Sequence, residues 1–259
     1  MLSICLFLFT KVASAQKSER VKNDVALKNI TPDIALATCF QWLPVADVPA
    51  NQVYVQTQSA GVLSGVPWNI QQFKQVQKNI RKAGGKPIKY LIINEYNVDR
   101  LEVIAYCQRK NIQLIADLPT AWQLARQHHI WVNLPVERDT VVQIGKRHIG
   151  LHPLGKGFAC SGLAMFVPDA RLLHAGYFIC SPTARYPVRS SLSSLAEWAI
   201  NLEKLYFRFS DARWVVPGQG PLGNCRLMLY ASRIISLIDK SEKYIQQSHE
   251  EDADATHDD

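Results

Sequence analysis

Residues 88–100 read Ile-Lys-Tyr-Leu-Ile-Ile-Asn-Glu-Tyr-Asn-Val-Asp-Arg. Ile88 to Ile93 is an almost continuous apolar run, the pattern of a strand buried on both faces. A polar segment follows at once, with Glu95 and Asp99 four residues apart and Arg100 beside them. Upstream, Ile70, Phe73, Val76 and Ile80 recur at three- and four-residue spacing and predict an amphipathic helix that stops at Gly84-Gly85 before Pro87. Downstream the alternation repeats, with a helix over Leu101 to Arg109, a strand over Ile112 to Ala116 and a helix over Thr120 to Gln127.

Strands dominate on either side of this unit. Ala35 to Val45, Val53 to Gln58 and a short piece from Gly61 to Gly65 precede it. Val141 to Ile144, Ile149 to His152, Leu163 to Val167 and Leu172 to Ile179 follow, the last two joined by a turn at Pro168-Asp169-Ala170. Ser194 and Glu197 form a capping box for a helix with the stripe Leu195, Trp198, Leu202 and Leu205. Trp214 to Val216 is a last short strand, and Leu227 to Ile238 the closing helix. An α+β, four-layer α/β/β/α sandwich suits this order, although periodicity alone does not select it over other mixed folds.

The chain has 259 residues, enough for one large domain. Its expected organisation is a signal peptide over 1–15, a polar leader over 16–34, the folded domain over 35–243 and an acidic, disordered tail over 244–259. Leu2 to Thr10 is apolar, and Ala13-Ser14-Ala15 fits a signal-peptidase site, so a periplasmic or secreted location is expected. A buried N-terminal strand is the competing reading of that run. It is too short to span a bilayer, and no other segment reads as transmembrane.

The formal net charge is +7, but six of the 22 acids lie in Glu250 to Asp259, leaving 29 basic against 16 acidic groups elsewhere and a body charge of +13. Such an excess favours acidic surfaces, whether polyanions, anionic lipid headgroups or an acidic partner protein, or else is simply a solvated basic surface; an unidentified small ligand is the other partner the chain allows. No specific nucleic-acid motif is present. Removing Cys5 with the signal leaves Cys39, Cys107, Cys160, Cys180 and Cys225, none in Cys-x-x-Cys spacing, so most are expected as buried, unpaired thiols.

Five segments, in one order along the chain, carry a family resemblance. They are Ser64-Gly65-Val66-Pro67-Trp68, Ile88 to Ile93 with its polar sequel, Gly155-Lys156-Gly157-Phe158, Val167 to Gly176, and Val216-Pro217-Gly218-Gln219-Gly220-Pro221. Together they resemble the metallo-β-lactamase superfamily over about Phe40 to Lys240. The resemblance implies the four-layer sandwich and a zinc cleft at the loops named.

It also implies that the cleft has lost its chemistry. Where the family carries Thr-His-x-His-x-Asp-His, this chain has Asn94, Glu95, Asn97, Asp99 and Arg100. Phe158 stands at the third histidine, Tyr177 at the metal-bridging residue, Gln219 at the last histidine and Gly65 at a supporting aspartate. Only Asp99 survives. Zinc takes imidazole, thiolate or carboxylate donors, usually three from the protein in catalytic sites. Phenylalanine offers none and a neutral amide is a poor one, so no zinc and no other cofactor is expected. His128, His129, His148, His152 and His174 have no partner at recognisable metal spacing, which leaves surface or packing roles.

Two functions fit these readings. One is an exported, non-catalytic binding or accessory protein, a pseudoenzyme on a hydrolase scaffold, whose cleft is plugged by polar groups. The alternative is metal-free or non-zinc chemistry in the same cleft, with Glu95 or Asp99 as base and Arg100 and Tyr177 stabilising charge, or a weak oxygen-ligand site for Mg²⁺ or Ca²⁺. A third reading is a structural or interaction protein acting through its basic body or its tail. A cleft filled by Phe158 and Tyr177 separates the binding readings from the enzymatic one.

Overall fold

The computed structural model describes residues 25–43, 46–184 and 193–255. The expected signal peptide lies outside them. Two sheets carry the fold. The first has seven strands in chain order: β1 (Val25–Thr31), β2 (Ile34–Leu43), β3 (Ala46–Gln56), β4 (Gly61–Ser64), β5 (Ile88–Ile93), β6 (Gln113–Asp117) and β7 (Leu134–Val136). Its first four strands are antiparallel, and β4 to β7 run parallel. The parallel half needs crossovers. Helix α1 (Ile70–Lys82) joins β4 to β5, α2 (Leu101–Arg109) joins β5 to β6, and α3 (Leu118–His128) joins β6 to β7. Asn69 caps α1 by accepting from the Gln72 amide at 2.9 Å.

The second sheet has five strands in the order β12 (Trp214–Val216), β11 (Leu172–His174), β10 (Leu163–Val167), β9 (Arg147–Pro153) and β8 (Thr140–Ile144). Helices α4 (Leu195–Arg208) and α5 (Arg226–Ala255) cover its outer face. The Ser194 hydroxyl caps α4 through the Glu197 amide, as its capping box predicts.

Three apolar clusters define four layers. Phe73, Val76, Val103, Ile104 and Leu124 pack on Tyr54, Leu91 and Ile93, so α1 to α3 cover one face of the first sheet. Val53, Val55 and Ile92 meet Ile149, Leu151 and Met165 between the sheets. Trp198, Leu202 and Met228 pack on Ala164, Leu173 and Val215 beyond the second sheet. Neighbours along a strand divide between layers: Leu172 and Val216 face the first sheet, while Leu173 and Val215 face the helices. The expected α/β/β/α sandwich is therefore the fold.

Several boundaries differ from expectation. The first strand begins at Val25, inside the expected leader, because its residues are largely solvent-facing and carry little apolar signal. The run Leu172 to Ile179 is extended only to His174, and Gly176 at φ +55° turns it into a 3-10 segment, Gly176–Phe178. The closing helix runs on to Ala255, so the backbone over 244–255 is helical where a disordered tail was expected. No disulfide joins the described cysteines, and Cys107 and Cys180 are buried thiols.

Candidate functional site

One end of the sandwich collects five loops: those after β4, β5, β11 and β12, and the β9–β10 connection. Side chains and backbone lock them together. The Asn51 amide donates to the carbonyls of Pro217 at 2.9 Å and Gly220 at 2.8 Å. Asn94, buried at the end of β5, donates to the Leu163 carbonyl at 2.8 Å, and the Leu163 N–H returns to the Asn94 carbonyl at 2.7 Å. Asn94 thereby ties the two sheets at the mouth of the site.

Inside this frame the centre is occupied. Phe158 and Tyr177 are each 8% exposed, and their rings stack at 5.4 Å. Phe158 also meets Trp198 edge-on at 6.2 Å, and Tyr177 meets Trp68 edge-on at 6.5 Å. Arg100 enters from the 3-10 turn after β5 and is 3% exposed. Its Nη2 donates to the Tyr177 hydroxyl at 3.1 Å, while its guanidinium carbon lies 3.3 Å from the Trp68 ring centroid. Gln219 is buried beside the same hydroxyl.

Glu95 completes the group. Its Oε2 accepts from the Tyr177 N–H at 3.3 Å. It lies against Gly176, where a Cβ would fall 2.1 Å from Oε2, so the positive φ and the close contact both demand glycine. Burial pushes the Glu95 carboxyl from 4.5 up to about 7, with Arg100 and the Tyr177 N–H pulling it down and Asp117 adding to the rise. Burial likewise lowers the Arg100 guanidinium, opposed by Tyr177 and Glu95, and lifts the Tyr177 phenol to about 12.

Of the residues expected to converge, Glu95, Arg100, Phe158, Tyr177 and Gln219 do so. Asn97 and Asp99 do not. Asn97 accepts from the Asp99 N–H at 2.9 Å and caps the 3-10 turn, which turns the Asp99 side chain out into solvent. The expected convergence of Asp99 on this centre is corrected: its carboxylate keeps its hydration in water, and burying it unpaired would cost about 3 kcal/mol or more.

The histidines take the packing and surface roles expected of them. His174 is fully buried, bonded through Nδ1 to the Ser64 hydroxyl at 2.9 Å, and burial drives its pKa down to about 3. His152 is paired with Asp139 at 3.0 Å and packs on Phe209, and His148 is exposed. His128 stacks on Tyr96.

Two contributors carried little sequence signal. Trp68 is 32 positions from Arg100, and nothing in its loop announces a guanidinium partner. Asp117 is 1% exposed with one oxygen unpartnered, held near Thr120 and Ser161, and burial raises its pKa. A carboxylate directly between an apolar strand and an apolar helix was its only sign.

No family profile matches the chain. Among curated proteins it is similar to the metallo-β-lactamase type 2 of Bacteroides fragilis, 24% identical over 234 residues, which span 88% of this chain and 92% of that protein. The metallo-β-lactamase IND-1 of Chryseobacterium indologenes is 22% identical over 216 residues, 83% of this chain and 90% of that one. Among solved structures, a metallo-β-lactamase from Pontibacter korlensis superposes with a TM-score of 0.75 at 19% identity, covering 82% of this chain and 99% of that one. Curated relatives and solved structures alike point to the metallo-β-lactamase superfamily, and its fold is the fold of this chain.

A metallo-β-lactamase fold implies zinc at these loops, and the residues present do not fit it. Phe158 has no donor atom, and Arg100, a fixed cation, sits at the heart of the cluster. Asn97 is engaged in capping. Among the described residues, no group of three or more His, Cys, Asp and Glu side chains is placed to hold a metal ion. Gly65, matched to a supporting aspartate of the superfamily, sits at φ +93°, and a Cβ there would lie 3.0 Å from the Asn51 carbonyl and 3.1 Å from the His174 ring. A side chain there would need these neighbours to shift and a backbone conformation that L residues rarely adopt.

Proposed function

We propose that this protein is an exported, non-catalytic member of the superfamily, a binding or accessory protein in which the ancestral zinc cleft has become a packed structural element. The observation that carries this reading is the Phe158–Tyr177 stack with Arg100 held between Tyr177 and Trp68. Those side chains occupy the centre where hydrolysis would need a metal, a water and a substrate carbonyl. Aromatic rings at that point gain apolar burial and give up nucleophile activation.

A second reading has one observation in its favour. A carboxyl with a pKa of about 7 is suited to general-base work at neutral pH, and Glu95 has one. Its free course is limited by the Tyr177 N–H it accepts from and by Gly176 packed against it. Displacing Tyr177 is therefore the condition for metal-free chemistry here.

Metal content and turnover on the purified full chain test the proposal. After dialysis against trace zinc, elemental analysis is expected to find no stoichiometric zinc, and no β-lactam is expected to be hydrolysed. About one equivalent of zinc retained, or turnover abolished by a chelator, overturns it. Export is tested separately by intact mass: protein from the periplasm or medium is expected to begin at Gln16, and a chain that keeps Met1 in the cytoplasm refutes it.

A further inference from the structure

On the helical face of the first sheet, a groove of about 420 Å³ that shares no lining residue with the packed cluster opens between α3 and the segment leading into β7. Leu118, Trp122 and Arg126 recur every four residues on α3 and so share one face of it. Trp131, Val132 and Pro135 form the opposite wall. The two indoles at its lips are 61% and 65% exposed, an unusual cost for the largest apolar side chains. The volume falls within the range of small-molecule sites, roughly 300–1,000 Å³.

Among the described residues, Arg126 is the only charged side chain lining this groove. Its guanidinium lies 5.7 Å from the Trp122 ring centroid, and no described carboxylate is within ion-pair reach of it. Two aromatic walls with a single uncompensated cation at one lip complement a flat apolar body bearing one negative charge. We propose that this groove is a binding site for small aromatic carboxylates, the ring held between Trp122 and Trp131 and the carboxylate on Arg126.

The surroundings separate this ligand from larger partners. β7 is an edge strand of only three residues, and its Pro135 has no N–H to donate, so a peptide adding as a further strand finds a broken ladder. The site does not depend on the state of the packed cleft, so its test is independent of zinc content.

Calorimetric titration of the full chain with 2-naphthoate, and with uncharged 2-naphthamide, reads the proposal. Saturable one-to-one binding of 2-naphthoate is expected, about tenfold or more tighter than the amide, as a charge-assisted bond to guanidinium gives. Arg126→Gln should remove that preference, Arg126→Lys should keep most of it, and Trp131→Ala should weaken both ligands. These side chains are exposed, so circular dichroism of each variant should match the parent. Equal affinity for acid and amide overturns the proposal, as does binding unchanged in Trp131→Ala. Failure of 2-naphthoate to saturate, with Trp-dependent binding to phosphatidylglycerol vesicles, overturns it in favour of a membrane surface.

Discussion

Arg100 lies flat on Trp68, its guanidinium carbon 3.3 Å from the indole ring centroid, while its Nη2 donates to Tyr177. A cation this buried is stabilised by one π face, one neutral hydroxyl and the nearby Glu95 carboxyl, and its Nη1 has no protein partner. The fold therefore carries a desolvated charge that only a planar, weakly hydrated cation can occupy at low cost.

That pairing makes a stability prediction. Arg100→Lys should lower the stability by about 1–3 kcal/mol, because a compact ammonium loses the flat stack and is harder to desolvate. A double-mutant cycle of Arg100→Met with Trp68→Leu, followed by urea unfolding, should return a coupling of about 1–2 kcal/mol. Additive effects would show that the stack contributes nothing beyond packing.

Glu95 provides the pH dependence. Unfolded, its carboxyl releases its proton near 4.5, whereas in the folded chain it holds it until about 7. Between those values the folded state binds more protons than the unfolded one, so this group's contribution to stability falls as pH rises through that window. Glu95→Gln cannot titrate. Unfolding free energies of the parent and of Glu95→Gln should therefore diverge from pH 5 to pH 8 in favour of the variant, by up to about 3 kcal/mol. A constant difference across that range would mean that the Glu95 carboxyl is solvated in the folded state.

How far the sequence reaches depends on whether burial leaves a periodic mark. Ile88–Ile93, Leu163–Val167 and Trp214–Val216 are legible to the residue, since strands covered on both faces are almost continuously apolar, Lys89 being the one charged exception. Val25–Thr31 is an outer strand of mixed exposure and offers no such run. Leu172 to Ile179 is mostly apolar because it is buried along its whole length, not because it is extended, and its bend is fixed by Gly176. The closing helix outlasts its stripe, for beyond Ile238 it has little core to face and its length leaves no apolar period. In the site, loop motifs expose the missing donors, but the contacts that fill the space join residues such as Trp68, Arg100 and Phe158 that are far apart in sequence.

The charge distribution gives a solution test. With six acids between Glu250 and Asp259 set against a body of +13, truncation of that segment should strengthen adsorption to a cation exchanger and move elution to higher salt. The helix that continues to Ala255 carries part of this segment, so the shift should be sensitive to where the truncation begins. Identical elution of the parent and a chain ending at His249 would show that these acids do not screen the basic surface.

Restoring the lost donors is the severest test of the packed cleft. Glu95→His, Asn97→His and Phe158→His return imidazoles at the three positions that the superfamily resemblance matches to one zinc site. Each change alone should bind no zinc, since one imidazole cannot complete a coordination shell that needs three protein ligands. Together they should bind about one equivalent after dialysis, with the residue 97 side chain giving up its cap on the 3-10 turn to reach the centre, and the Phe158→His change gives up the stack that Phe158 makes with Tyr177. That loss predicts a cost without metal: the apo triple variant should be less stable than the parent by about 3–5 kcal/mol, the range for removing a buried aromatic ring, and zinc should recover much of it. Thermal unfolding with and without zinc, beside elemental analysis, measures both parts. A triple variant as stable as the parent and still free of zinc would mean that the Phe158 ring is not what holds this cleft closed.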